Sequence, residues 1–108
     1  MPTNIEHYDL SGRRAVVVGA NTPAGSAIAA ALTEAGATVS SVDATEDAVA
    51  AGNAVERARD ELGGLEIAVS ATDLFFAKPI AEVTDAELAR VTAANFGVPF
   101  AVARAASA

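Results

Sequence analysis

The segment Gly19-Ala20-Asn21-Thr22-Pro23-Ala24-Gly25 has residue types that could hold a phosphate group. It follows the apolar run Val16-Val17-Val18 and leads into an alanine-rich stretch, so it carries the chain from a strand into a helix. Thr22 is a good N-cap residue, and Pro23 falls at the first helical position, where its fixed φ suits a helix and its missing N–H is not needed. The turn therefore aims a helix N-terminus past a strand end. Its unpaired N–H groups and the positive end of the helix dipole favour an anion there. A spaced glycine pair serves equally well as a tight connection that binds nothing. Asp43 adds a second group: it lies 18 residues after Gly25, near the spacing at which an acid accepts ribose hydroxyls and repels a 2′-phosphate. It also reads simply as a turn aspartate.

A third candidate is Asn95. Leu88, Val91, Asn95, Val98 and Val102 follow a 3-4-3-4 spacing, so the amide falls within an otherwise apolar helical stripe, where a buried amide needs partners. Pro99, four residues on, cannot donate to the Asn95 carbonyl, and Gly97 loosens the same turn. Either that carbonyl serves a ligand, or the pair merely fixes packing and kinks the helix. His7 is a lone histidine in a polar segment without a second ligand nearby and reads as a surface residue; no metal site is expected. Phe75 and Phe76 read as cover for the core edge.

The elements that must position these groups alternate. Arg14 to Gly19 reads as a strand buried on both faces, Ala24 to Ala35 as a helix stopped by Gly36, and Thr38 to Val42 as a second strand. Thr45 is expected to cap a helix from Glu46 to Leu62 that ends at Gly63-Gly64. Leu65, Ile67 and Val69 alternate through a third strand. The last helix starts at a capping box made by Thr84 and Glu87, with Val83 and Leu88 spaced as its hydrophobic staple. This order predicts an α/β fold: one Rossmann-like, three-layer domain over residues 1–108, with a short parallel sheet of about three strands and the first strand central.

Composition narrows the partners. The 108 residues are 52% hydrophobic but only 5% aromatic, so the core must be built from small side chains. A net charge of −7 and a pI near 4.4 oppose binding to nucleic acid or to an anionic membrane surface. There is no cysteine, hence no disulfide or thiol chemistry, and no apolar stretch of about 18 residues. A cytoplasmic protein is expected.

Taken together these residues resemble the N-terminal half of the short-chain dehydrogenase/reductases. "DLSGRRAVVVGA" looks like that family's opening, and Gly19 to Gly25 is similar to its Gly-x-x-x-Gly-x-Gly cofactor turn. "GATVSSVDA" is similar to its second strand, and "GGLEIAVSATD" stands where the family has its fourth strand with an Asn-Asn-Ala-Gly ending. "VTDAELARVTAANFGVPFAVARAA" resembles the helix that carries the family's asparagine, here Asn95, whose backbone carbonyl serves a proton relay. The resemblance implies a nicotinamide dinucleotide site made by Gly19, Asn21, Thr22, Pro23, Ala24, Gly25, Asp43, Ala44, Ser70 and Ala71. NAD is favoured over NADP by Asp43 and by the lack of basic residues in the turn.

The departures bear on activity. Pro23 replaces the turn's middle glycine, and Ser70-Ala71-Thr72-Asp73 replaces Asn-Asn-Ala-Gly. One strand-helix unit is missing between Asp43 and Ser70, so Asp43 aligns either with the second strand's ribose acid or with the third strand's adenine-side aspartate. The family's Tyr-x-x-x-Lys pair cannot be formed from the only tyrosine, Tyr8, and the only lysine, Lys78. Two readings follow: a cofactor-binding half of an oxidoreductase, inactive by itself and lacking its C-terminal half, or a non-catalytic module that associates with another copy or another chain.

Overall fold

The computed structural model describes residues 9–75 and 77–108; His7, Tyr8 and Phe76 lie outside the described residues. Three strands, β1 (Arg14–Val18), β2 (Thr38–Val42) and β3 (Ile67–Ser70), form one parallel sheet in the order β2-β1-β3. β1 is therefore central, as its unbroken valine run predicted, and Val16, Val17 and Val18 are wholly buried. Helix α1 (Pro23–Glu34) joins β1 to β2, and α2 (Ala48–Leu62) passes over β1 to reach β3. After β3 come a loop, one 3₁₀ turn (Ile80–Glu82), α3 (Asp85–Thr92), a π turn (Ala93–Gly97) and α4 (Val98–Ser107).

The side chains sort into layers by strand alternation. Val16 and Val18 pack against Ala51, Val55 and Ala58 of α2 and Val98, Val102 and Ala105 of α4. No residue of α1 joins that cluster, and α1 packs on β1 and β2, which right-handed crossovers place on the opposite face. The core is small because its members are: every buried hydrophobic side chain among the described residues is alanine or valine.

Several boundaries differ from the sequence reading. Asp47, not Thr45, caps α2: its carboxylate accepts from Val49 N at 2.9 Å, while Thr45 Oγ1 instead accepts from Asp47 N at 3.1 Å. The helix starts two residues later because a carboxylate so placed reaches two orphan amides at once. The capping box at Thr84 and Glu87 forms with both reciprocal bonds, and Leu88, expected to pack on Val83, stays 59% exposed. Phe75, expected over the core edge, is 84% exposed.

The predicted apolar stripe does not run through the last helix. Pro99 offers no N–H and its ring would strike a carbonyl one turn back, so the backbone widens and Val98 N donates five residues back, to Ala93 O. That extra residue rotates α3 against α4 by about 100°. Val98 and Val102 are consequently buried, whereas Leu88 in α3 and Asn95 within the π turn are exposed.

Candidate functional site

The carboxyl ends of all three strands meet at the glycine turn. Gly19 adopts φ +95°, a left-handed conformation that favours glycine, and a Cβ there would lie 2.9 Å from the Ala71 carbonyl carbon. Gly25 is held to glycine by space alone: a Cβ would lie 1.8 Å from Gly19 O. Thr22 ties the turn together. Its hydroxyl donates to Gly19 O at 2.8 Å and accepts from Gly25 N at 3.0 Å, the N-cap bond expected from sequence. Pro23 occupies the first turn of α1, as predicted.

These bonds decide how many donors remain for an anion. Pro23 has none, and the Gly25 and Ser26 amides are taken by Thr22, at 3.0 and 2.8 Å. Among the described residues the amides of Asn21 and Ala24 have no hydrogen-bond partner, and Asn21, Pro23 and Ala24 are all exposed. The helix N-terminus is thus open, with two amides left without a partner and a third donor lost to Pro23.

The turn is also laced to the end of β2. Gly19 N and Ala20 N both donate to Val42 O, at 2.8 and 2.9 Å, and the side-chain oxygen of Asn21 accepts from Ala44 N at 2.7 Å. Asp43 lies between those two pinned peptides and is exposed. In a doubly wound sheet ordered 3-2-1-4, only the second and fourth strands adjoin the first. Since β2 pairs with β1, Asp43 ends a strand in the second position. β3 holds the fourth position, and α2 makes the crossover in one step.

On the other side of β1, Ala71 N donates to Val18 O at 2.8 Å, and the Ala71 carbonyl accepts from Thr22 Oγ1 at 3.3 Å. The Ala71 backbone therefore supports the turn rather than facing outward. The hydroxyls of Ser70 and Thr72 are buried and unpartnered, two polar atoms at the strand end with hydrogen-bonding capacity to spare. Thr72 and Asp73 face Ala44, Thr45 and Glu46 across an open cleft of about 320 Å³ between the ends of β2 and β3. Sequence reasoning missed Thr72, Thr45 and Glu46 as lining residues; their position just beyond strand ends was the available signal. The Arg90 guanidinium bonds Glu46 at 2.8 and 3.0 Å and holds its carboxyl below the usual carboxylate range.

Asn95 has its partners, but they are not in a core. Its amide donates to Leu74 O at 2.7 Å and its oxygen accepts from Leu74 N at 2.6 Å, so the side chain closes like a strand rung on the loop after β3. That loop is further tied to α3 by Lys78, whose ammonium bonds both Glu87 carboxylate oxygens at 2.9 Å. The glycine turn, Asp43, Ala44, Ser70 and Ala71 are thus brought to one edge, while Asn95 acts on the adjoining loop. Among the described residues no helix is long and apolar enough to cross a membrane.

In sequence, no protein-family model and no curated protein matches the chain. In structure it is similar to a protein of Sinorhizobium meliloti 1021 assigned as a short-chain alcohol dehydrogenase, at 29% identity and a TM-score of 0.83, covering 92% of this chain and 49% of that one. It is similar also to a short-chain dehydrogenase from Burkholderia cenocepacia J2315 in complex with NADP, at 26% identity and a TM-score of 0.84, covering 92% and 51%. A blue fluorescent protein from a metagenomic library, in complex with NADPH, matches at 25% identity and a TM-score of 0.85, again over 92% and 51%. The fold of this chain is that of the short-chain dehydrogenase/reductases, and the chain spans about half the length of these solved structures.

Proposed function

We propose that this chain is a nicotinamide-dinucleotide-binding unit of an oxidoreductase, supplying the cofactor site and not the proton donor. The observation that carries the reading is the open N-terminus of α1, set over the central strand between Asp43 on one flank and the Ser70 and Thr72 hydroxyls on the other. In this reading the Asn21 and Ala24 amides face the pyrophosphate, Gly19 and Gly25 let it approach, and the Asp43 carboxylate accepts from the ribose. Pro23 weakens the grip by withholding one N–H. When bound, such a cofactor carries the hydride that a dehydrogenase or reductase exchanges.

Two solved neighbours hold the 2′-phosphorylated cofactor, which supports the dinucleotide class and favours NADP. The residues of this chain pull the other way. A 2′-phosphate beside Asp43 would meet like charge, and Arg90, which pairs with Glu46 of the cleft lining, is already committed to that carboxylate. On that balance NAD is put ahead. Catalysis would need a tyrosine with a neighbouring cation to lower its pKa, which Lys78, bound to Glu87, does not supply. The Asn95 side chain, clamped to Leu74, then orders the loop beside the cofactor, and its backbone carbonyl is the group a proton relay would use once a tyrosine is supplied.

Calorimetric titration of the chain with NAD and with NADP tests the reading: saturable heat with either supports it, and no heat with both rejects it. A second reading, association through an uncovered apolar face, draws support from Phe96 and Phe100, which are 69% and 52% exposed and stack on one another at 6.2 Å. A folded monomer at low concentration in gel filtration would reject that alternative.

A further inference from the structure

Asn21 stands among the residues that a cofactor turn would aim at its ligand, yet its side-chain oxygen is spent within the protein. It accepts from Ala44 N at 2.7 Å, across 23 residues of sequence. Together with the two bonds that Val42 O receives from Gly19 and Ala20, this pins the peptides on both sides of Asp43 to the glycine turn. Of the three bonds, only the one at Asn21 comes from a side chain, so only it can be removed without breaking the backbone of the turn.

We propose that Asn21 is a positioning residue for cofactor selectivity: by occupying the Ala44 amide and fixing Asp43 it disfavours a 2′-phosphate. This rests on the dinucleotide reading above. Two physical effects act in the same direction. A backbone N–H left free at the end of a strand is a donor that phosphate oxygens seek, and Asn21 removes it from reach. The backbone of an aspartate flanked by fixed peptides cannot retreat from an incoming phosphate, so its charge stays at the strand end and like-charge repulsion acts against the wrong ligand. Among the described residues the charged groups lining this cleft are Glu46 and Asp73, with Asp43 next to the lining Ala44 and Arg90 held by Glu46 at 2.8 Å; none of them offers a free cation to offset the repulsion.

The test compares wild type, Asn21→Ala and Asn21→Asp, each titrated with NAD and with NADP at one ionic strength, with amide hydrogen exchange read at Ala44. Aspartate keeps an acceptor for the Ala44 amide; alanine does not. The expected result is a protected Ala44 amide in wild type and Asn21→Asp, and a protection loss of about tenfold or more in Asn21→Ala with β2 amides unchanged. The affinity ratio of NADP to NAD should rise about tenfold in Asn21→Ala, the scale of one hydrogen bond to a charged group, and should not rise in Asn21→Asp. If wild type binds and Asn21→Ala weakens both cofactors equally, or leaves the ratio unchanged, the selectivity role is overturned while the dinucleotide reading stands. If wild type binds neither cofactor, the reading falls and this inference with it. Should Asn21→Ala lose β2 protection altogether, wild type and Asn21→Asp still decide: an unprotected Ala44 amide in wild type, or a raised ratio in Asn21→Asp, overturns the proposal.

Discussion

Replacing Gly25 by alanine puts the packing of the turn under direct stress. The new Cβ would lie 1.8 Å from Gly19 O, 2.6 Å from Gly19 C and 3.0 Å from Thr22 Oγ1, whereas ordinary contact begins near 3.4 Å, so the Gly19 carbonyl must retreat by about 1.6 Å. That carbonyl accepts from Thr22 N at 3.0 Å and from Thr22 Oγ1 at 2.8 Å, and the same hydroxyl caps Gly25 N. Three hydrogen bonds are strained together. At about 1 kcal/mol each the loss is about 3 kcal/mol, a large share of the roughly 5–15 kcal/mol that holds a domain of this size. With a urea m-value of about 1.5 kcal/mol per M, the unfolding midpoint should fall by about 2 M. Gly12→Ala is the control, since Gly12 has φ +83° but nothing within 4 Å of the added carbon; it carries backbone strain alone, about 1 kcal/mol. Urea titrations followed by circular dichroism measure both. Equal midpoints for the two variants would refute the claim that close approach, rather than backbone conformation, keeps position 25 a glycine.

Acid should reveal the ion pair at the far edge of the sheet. Bonds from the Arg14 side chain, and then from its backbone amide, pull the Glu66 carboxyl down to about 2 from 4.5. A carboxylate depressed in the folded state stabilises fully above its unfolded value, and that stabilisation is lost as pH falls from about 5 toward 2. Glu66→Gln should therefore have a lower Tm than wild type at neutral pH and a smaller fall in Tm between about pH 6 and pH 3; parallel declines would refute the assignment. Asn95→Ala should cost about 1 kcal/mol and speed exchange at the Leu74 amide, while Asn95→Asp, which keeps the acceptor for that amide but lacks the donating half of the clamp, should not restore the stability. An unchanged Leu74 amide in Asn95→Ala would show that the loop is held by other contacts.

Much of the framework was legible in the residues because the signals are local. A valine run before a glycine, a threonine before a proline, and Thr84 three residues ahead of Glu87 each fix their element through short-range sterics and hydrogen bonding, and the structure keeps all three. The alternation of strand and helix further dictated a parallel sheet with β1 at its centre. What escaped depended on how the backbone answered Pro99 and on partners distant in the chain. Periodicity alone placed Asn95 in an apolar stripe. Pro99 then forced a π turn, rotated the stripe out of register and left the amide to clamp Leu74, 21 residues away.

The same division runs through the site. Sequence by itself determined that a helix N-terminus follows Gly19, because Thr22 and Pro23 leave the backbone few alternatives. Only tertiary structure decided which of its amides stay open, that Asn21 reaches back to Ala44, and that Asp43 ends the strand beside β1. Spacing along a chain sets which groups can be near a strand end. Which of them spend their hydrogen bonds on one another, and which keep theirs for a ligand, is settled when segments far apart in sequence are packed side by side.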